Sequence, residues 1–353
     1  MCSDHEKSEP KGEAKAEAKA EAKSERKSHV DLPKMAQQHD LDAPLPAYKS
    51  LPYSEVLKAH YCWGLFGEQD NLGTMNLLTP ARVKAALGSV SEGRRINLSI
   101  PLDEPSPAPV GRDSYKHHIH TGNLNSLDDY VDNFYLQASS QWDALKHIRA
   151  REFGFYNGYR TEQVENGPNL GIDHLARAGV IARGVLLDAA AYFESIGKPL
   201  EPSVGRPIHV KDLEAILALQ GIKLQPGDVL VLRTGWLGTF RRSEFDARSK
   251  IMNARAWAGL HSGEPMAEFL WNAHVCAVAA DNRAVEMAPG DTAAGFLHRR
   301  VMPLLGIHLA ELWDLEEIAQ VCAERKRYDF LITSVPLNLP KGCGSPANAI
   351  AIV

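Results

Sequence analysis

Four apolar residues in a row, Val229 to Leu232, follow the turn residues Pro226-Gly227-Asp228 and stop at Arg233, which predicts a strand buried on both faces. Residues 274–280 carry a second such run, ending at Asp281-Asn282, and residues 185–188, 330–335 and 349–353 read as further strands. Residues 96–100 form another, closed by Pro101. Helical spacing covers residues 172–178 ahead of Gly179 and residues 210–220 ahead of Gly221, each glycine standing where a helix C-terminus favours a left-handed residue. Residues 267–272 add a helix and residues 53–60 a short one. Thr79 before Pro80 is an N-cap with proline at the first helical position, opening a helix over residues 81–87.

The pattern changes at Gln137-Ala138-Ser139-Ser140-Gln141-Trp142-Asp143-Ala144-Leu145-Lys146-His147. In an extended segment side chains two apart share a face, so Gln137, Ser139, Gln141 and Asp143 point one way and Leu136, Ala138 and Trp142 the other. A tight turn after Asp143 then brings His147, four residues on, back over that carboxylate. A carboxylate, an imidazole and two amides converge, although the solvated face of an edge strand has the same pattern. His117, His118 and His120 are spaced so that two of them could chelate a metal from an extended strand, with a solvent-exposed loop the plainer reading. Asp128, Asp129 and Asp132 read as a solvated acidic loop. Arg233 is expected to satisfy an internal carboxylate. Trp63, Phe66, Tyr156, Trp236 and Trp313 are candidates for a pocket wall, with core packing the commoner role for aromatics beside glycines.

Residues 1–42 stand apart. Glu13, Glu17, Glu21 and Glu25 repeat every four positions, as do Lys15, Lys19, Lys23 and Lys27, so like charges stack at i,i+4 and repel. A low-complexity, disordered tail is expected there, followed by one domain over residues 43–353. With 353 residues, 44% hydrophobic and 24% charged, the chain has material for a full core. A net charge of -5 gives no electrostatic footprint for nucleic acid or an anionic membrane. Five scattered cysteines without a CxxC pair, no apolar signal segment and no apolar run of membrane-spanning length lead to the expectation of a soluble cytoplasmic protein.

From Trp63 onward the chain resembles the cyclase family that includes bacterial kynurenine formamidases, isatin hydrolases and a dienelactone hydrolase. Its signature HxGTHxDxPxH is matched in register by Gln137, Ser139, Ser140, Gln141, Asp143, Leu145 and His147. The loop from Asp70 to Asn76, residues 97–101, 184–188 and 227–236, and the pair His298 with Glu311 extend the likeness. The resemblance implies an α/β domain of the swivelling β/β/α type, with a barrel-like mixed sheet and outer helices, usually assembled as a dimer or tetramer. It also implies a pair of divalent metal ions, with Asp143, His298 and Glu311 as ligands of the second and His147 as general acid/base. Gln137 and Gln141 depart from the pattern, standing where two imidazoles would hold the first ion; an amide oxygen is a poorer zinc ligand. One ion is then expected, Zn or Mn with Mg a further candidate.

The activity implied is hydrolysis of a small cyclic amide, imide or lactone, or of an aryl formamide, by metal-activated water. Two other readings fit the same residues. One is a metal-independent cyclase, dehydratase or isomerase using Asp143 and His147, and the other a non-catalytic scaffold that binds a small ligand.

Overall fold

In the computed structural model, which describes residues 30–109 and 111–353, the apolar runs pair into one mixed sheet. In chain order the strands are β1 (Arg95–Asn97), β2 (Lys116–Asn123), β3 (Ser126–Asp132), β4 (Gln141–Asp143), β5 (Val180–Asp188), β6 (Val229–Arg233), β7 (Ala277–Ala280), β8 (His308–Glu311), β9 (Asp329–Ser334), β10 (Gly344–Pro346) and β11 (Ala349–Ile352). Nine of them lie in the order β10-β4-β8-β7-β6-β5-β9-β11-β1. The central β5, β6, β7 and β8 are parallel, and the flanking pairs are antiparallel.

The sheet curls into a half-barrel. Just beyond β1, Ser99 bridges to Trp313 just beyond β8, the Asp314 amide donates to the Leu98 carbonyl at 2.9 Å, and the Ile100 amide donates to Ser140 Oγ at 2.9 Å. One edge is thereby stitched to the opposite half of the sheet, which leaves fewer backbone groups unpaired.

Strand alternation sorts the core into two layers. Val185, Leu187, Leu230, Leu232, Val278, Ala280 and Leu309 face helices Val210–Gln220, Glu264–Asn272 and Leu297–Leu305, where Leu213, Met266 and Met302 meet them. Leu186, Val229, Val231, Ala277, Ala279 and Ala310 pack on the other face with Trp142 and Trp313, whose rings meet edge to face at 5.3 Å. Glu311 lies two residues after Leu309 and so shares the first face. Gln141 is its cross-strand partner, and Asp143 follows two residues later.

The predicted helices at Ile172–Ala178 and Val210–Gln220 form, each closed by its positive-φ glycine, and the Thr79 hydroxyl caps helix Pro80–Ala86. Several expectations need correction. Residues 53–60 form a small hairpin, pairing Tyr53 with His60 and Ser54 with Ala59, in place of a helix. The second buried strand begins at Ala277, because His274 takes φ +54° in a turn. The histidine and aspartate clusters are the two strands of an exposed hairpin, β2 and β3, where His117 and His118 reach diagonally across the ladder to the carboxylates of Asp129 and Asp132 at 2.7 and 3.0 Å. These histidines hold carboxylates from solvent-facing positions, and the loop reading is replaced by a protruding β-ribbon.

The packed chain also starts earlier than residue 43. The Met35 amide donates to the Trp63 carbonyl at 2.8 Å, the His39 amide to the Leu65 carbonyl at 2.8 Å, and Leu32, Met35 and Leu41 pack on the core. Residues 30–42 are therefore a strap on the domain and not part of a tail; the tail expectation for residues 1–29 lies outside the described residues. Trp63, Phe66, Tyr156, Trp236 and Trp313 are all buried in the core, and of the five Trp236 also lines a small cavity with Pro202, Thr234 and Ala258. Among the described residues no helix is long and apolar enough to cross a membrane, and Cys62, Cys276 and Cys322 are buried free thiols.

Candidate metal centre

Gln141 and Asp143 project from β4, with Glu311 on β8 beside them, and helix Leu297–Leu305 lays His298, its second residue, over that face. Asp143, His298 and Glu311 each bring one ligand atom into a group in which all lie within 4.8 Å of one another. His298 Nε2 is 3.3 Å from Glu311 Oε1 and 3.9 Å from Asp143 Oδ2. Glu311 and Asp143 are 5% and 1% exposed, and both oxygens of Asp143 lack a hydrogen-bond partner among the described residues. A buried carboxylate with no donor is a costly arrangement unless a cation completes it.

A residue that the sequence reading passed over fixes the imidazole. Glu286, in the segment after β7, accepts from His298 Nδ1 at 2.6 Å, from the amides of His298 and Leu297 at 3.0 and 2.6 Å, and from Ser262 Oγ at 2.8 Å. These donors hold the Glu286 carboxyl below its usual range against the upward push of burial. Binding Nδ1–H in this way turns Nε2 toward Asp143 and Glu311, the arrangement by which an outer carboxylate orients a metal-binding histidine. Its sequence signal was position alone, an acid six residues beyond the end of a buried strand.

Charge follows the same geometry. Burial opposes a charged imidazole, yet hydrogen bonds to Glu286 and Glu311 outweigh it and raise His298 to about 10. Burial pushes Asp143 up to about 6, with His147 pulling it back and Glu311 adding to the rise. Three carboxylates around one imidazole thus call for positive charge at their centre, and a divalent ion held by Asp143, His298 Nε2 and Glu311 fits that demand.

His147 returns over Asp143 through a turn in which its amide donates to the Ala144 carbonyl at 2.7 Å, leaving Nε2 3.9 Å from Asp143 Oδ1 and the side chain 30% exposed. Gln141 turns its amide nitrogen onto Glu311 Oε2 at 2.6 Å, while its buried Oε1 has no partner among the described residues. Donation to a carboxylate settles which end of the amide faces Glu311. Among the described residues no hydrogen bond joins the Gln137 side chain to this group. Residues 136–140 turn instead of extending, so the four-residue polar face shortens to Gln141 and Asp143; Ser139 and Ser140 are buried and bond to the Pro101 and Leu312 carbonyls. The Gln137 amide lies against Gly344, the partner of Asp143 on β10, where an added Cβ would come within 2.8 Å of Gln137 Nε2.

Arg233 bonds Asp188 at 2.9 Å and Glu316 at 2.8 Å, the internal role expected of it. His308, at the start of β8, lies between the Asp143 and Leu72 carbonyls, and burial lowers it to about 4. Its folded value lies below the unfolded ~6.5, so the unfolded chain takes up the proton first as pH falls. Stability from this group is complete above pH ~6.5 and lost towards pH ~4, by about 3 kcal/mol. Urea denaturation at pH 7.5 and pH 4.5 should show a smaller acid loss for His308→Gln than for the parent; equal losses would refute the assignment.

A family model described as "Putative cyclase" matches residues 96–287, and the chain belongs to this cyclase family. Among solved structures it is similar to a novel cyclase at 32% identity, with a TM-score of 0.74, covering 82% of this chain and 99% of that one. Isatin hydrolase A from Ralstonia solanacearum shares the fold at 15% identity and a TM-score of 0.56, over 78% of this chain and 98% of that one. Isatin hydrolase A from Labrenzia aggregata, bound to benzyl benzoate, does so at 15% identity and 0.55, over 76% and 95%. No curated protein matches the chain.

Proposed function

We propose that this protein is a hydrolase that opens a small cyclic amide, imide or lactone, or cleaves an aryl formamide, with one divalent ion held by Asp143, His298 and Glu311. The observation that carries the reading is the cluster itself: two buried carboxylates and a carboxylate-oriented imidazole converge where Asp143 has no donor of its own. When bound there, a divalent ion supplies Lewis acidity and lowers the pKa of bound water to about 7. Oxygen-rich ligation makes Mn or Mg a rival to Zn.

The protein side chains supply the rest. His147, on the open side of Asp143, is placed to carry a proton to the departing nitrogen or oxygen, a role worth about 10²- to 10⁴-fold in rate. Gln141 occupies one oxygen of Glu311 with an N–H donor, which favours a single ion over the family's pair. Its free Oε1 is an acceptor for an N–H or O–H of the substrate.

Metal analysis of the purified protein should find about one ion per chain, absent from His298→Ala. In a panel of formamides, isatin-like lactams and lactones, His147→Ala should retain the ion yet lose about 10²-fold or more in kcat. A metal-free parent that still turns over the panel would sink the metal-dependent mechanism, and one with neither ion nor turnover would leave a ligand-binding scaffold.

A further inference from the structure

We propose that Arg283, together with Arg112, forms an anion-binding subsite beside the metal centre, and that the ligand carries, or acquires on turnover, a carboxylate. The inference rests on the hydrolase reading for its chemistry and on the arginines' own placement for the subsite. Arg283 follows Asn282, whose carbonyl accepts from the Leu312 amide at 3.0 Å, so the loop after β7 is tied next to Glu311 at the end of β8. Ligands of open α/β sheets collect at this end of parallel strands.

The Arg283 side chain is half-buried and held in one pose. Nη1 donates to the Met252 and Ala254 carbonyls at 2.7 and 3.3 Å, and the guanidinium lies 4.7 Å from the Trp257 ring centre and 5.9 Å from that of Trp236. Nε and Nη2 keep their donors, and among the described residues no carboxylate forms an ion pair with this group. Arg112 has one such tie: its Nη1 donates to the backbone carbonyl of Gln137, whose side-chain amide lies on Gly344, across the ladder from Asp143. Arg112 stands in the field of Asp143, and Arg283 in the fields of both Glu311 and Arg112.

Two guanidiniums near each other without acidic partners would be an odd investment for stability alone, since like charges repel and each must be desolvated. They become balanced once a ligand is included. With a divalent ion in place, Asp143, Glu311 and Glu286 carry three negative charges, against two on the ion and two on the arginines. One positive charge remains, matching one carboxylate, and a guanidinium fork with two free donors has the geometry to grip it. Hydrolysis of a lactam or lactone generates such a group: the C–N or C–O bond breaks, the water oxygen joins the carbonyl carbon, one proton goes to the leaving nitrogen or oxygen, and the new acid ionises.

The test uses calorimetric titration of the full-length protein with benzoate and with benzamide, its uncharged counterpart, in metal-loaded and chelator-treated samples. Benzoate should bind the metal-loaded sample more tightly than benzamide and lose affinity once the ion is chelated. Arg283→Gln should weaken benzoate at least about 10-fold in the metal-loaded sample and leave benzamide within about twofold, with Arg112→Gln showing a smaller loss in the same direction. Arg283→Lys should restore only part of the loss, since the fork is gone. Equal binding of the two probes overturns the subsite, as does benzoate binding that vanishes with the metal and ignores both arginine variants. A thermal melt of Arg283→Gln guards against misfolding, and Arg112→Gln carries the same test if that variant does not fold. Benzoate selectivity without turnover of any amide or lactone would overturn the hydrolase reading and leave the subsite; turnover without selectivity would do the reverse.

Discussion

Replacing Asp143 by asparagine is expected to abolish divalent-ion binding and lower kcat/KM by about 10³-fold or more, while leaving the metal-free protein at least as stable as the parent. The two halves of that expectation share one cause. Neither oxygen of Asp143 has a hydrogen-bond partner among the described residues, so no hydrogen bond of the fold depends on the negative charge. Burial raises its pKa from 3.8 to about 6, which means the charged form is disfavoured in the folded state. A raised acid pKa contributes stability below the unfolded value of 3.8 that is lost as pH rises through 6. Above pH 6 the metal-free parent therefore carries a penalty of up to about 3 kcal/mol that Asp143→Asn removes.

Adding metal reverses the order, because an ion that binds only the folded state stabilises it by about 2.7 kcal/mol at 100 times its dissociation constant. Melting curves at pH 8, with and without Mn or Zn, would check this. The parent should gain on metal addition and Asp143→Asn should not. If the variant is several kcal/mol less stable than the metal-free parent, Asp143 is a structural residue and the metal assignment fails.

This division between site and scaffold explains what was readable in the sequence. The buried strands at residues 229–233 and 329–334 and the glycine-capped helices declare themselves because local pattern and tertiary burial agree there. Asp143, His147, His298 and Glu311 stood out through a family pattern, and the structure brings the first, third and fourth within ligand range with His147 alongside. Glu286 escaped because its role is to orient His298, a relation across a turn and a helix start that no periodicity encodes. The β2–β3 ribbon has the sequence pattern of a loop because His117, His118, Asp128 and Asp129 are polar and both faces meet solvent, so no hydrophobic alternation marks it. Residues 30–42 were assigned to the tail by their neighbours' composition, although Leu32, Met35 and Leu41 are the apolar anchors that dock them.

Gly73→Ala should cost about 3 to 5 kcal/mol of folding stability, the largest loss expected of any single-methyl change near the site. The loop from Asp70 to Asn76 passes directly against the C-terminal end of the helix that begins with Leu297 and His298. Gly73 has φ +56°, and a Cβ there would fall 2.1 Å from the Gly306 carbonyl oxygen, a backbone atom that cannot rotate away. Gly306, at φ +66°, is equally confined, its would-be Cβ 2.6 Å from the Tyr156 ring. The contact is further pinned by Thr74, whose amide and hydroxyl donate to the Gly306 carbonyl at 2.9 and 3.0 Å.

Asp70 holds the loop in shape by accepting from the Leu72 and Gly73 amides, Asn76 Nδ2 and the Tyr156 hydroxyl at 2.8 to 3.0 Å. A methyl group at residue 73 must therefore displace either this braced loop or the helix, and the helix carries His298 at its other end. Urea denaturation of Gly73→Ala beside Gly88→Ala, a site with no atom within 4 Å of its would-be Cβ, separates the clash from a general glycine effect. The control should lie within about 1 kcal/mol of the parent. Gly73→Ala should bind the metal more weakly in whatever fraction folds, and a variant as stable as the parent would show that this loop and helix do not need their backbones in contact.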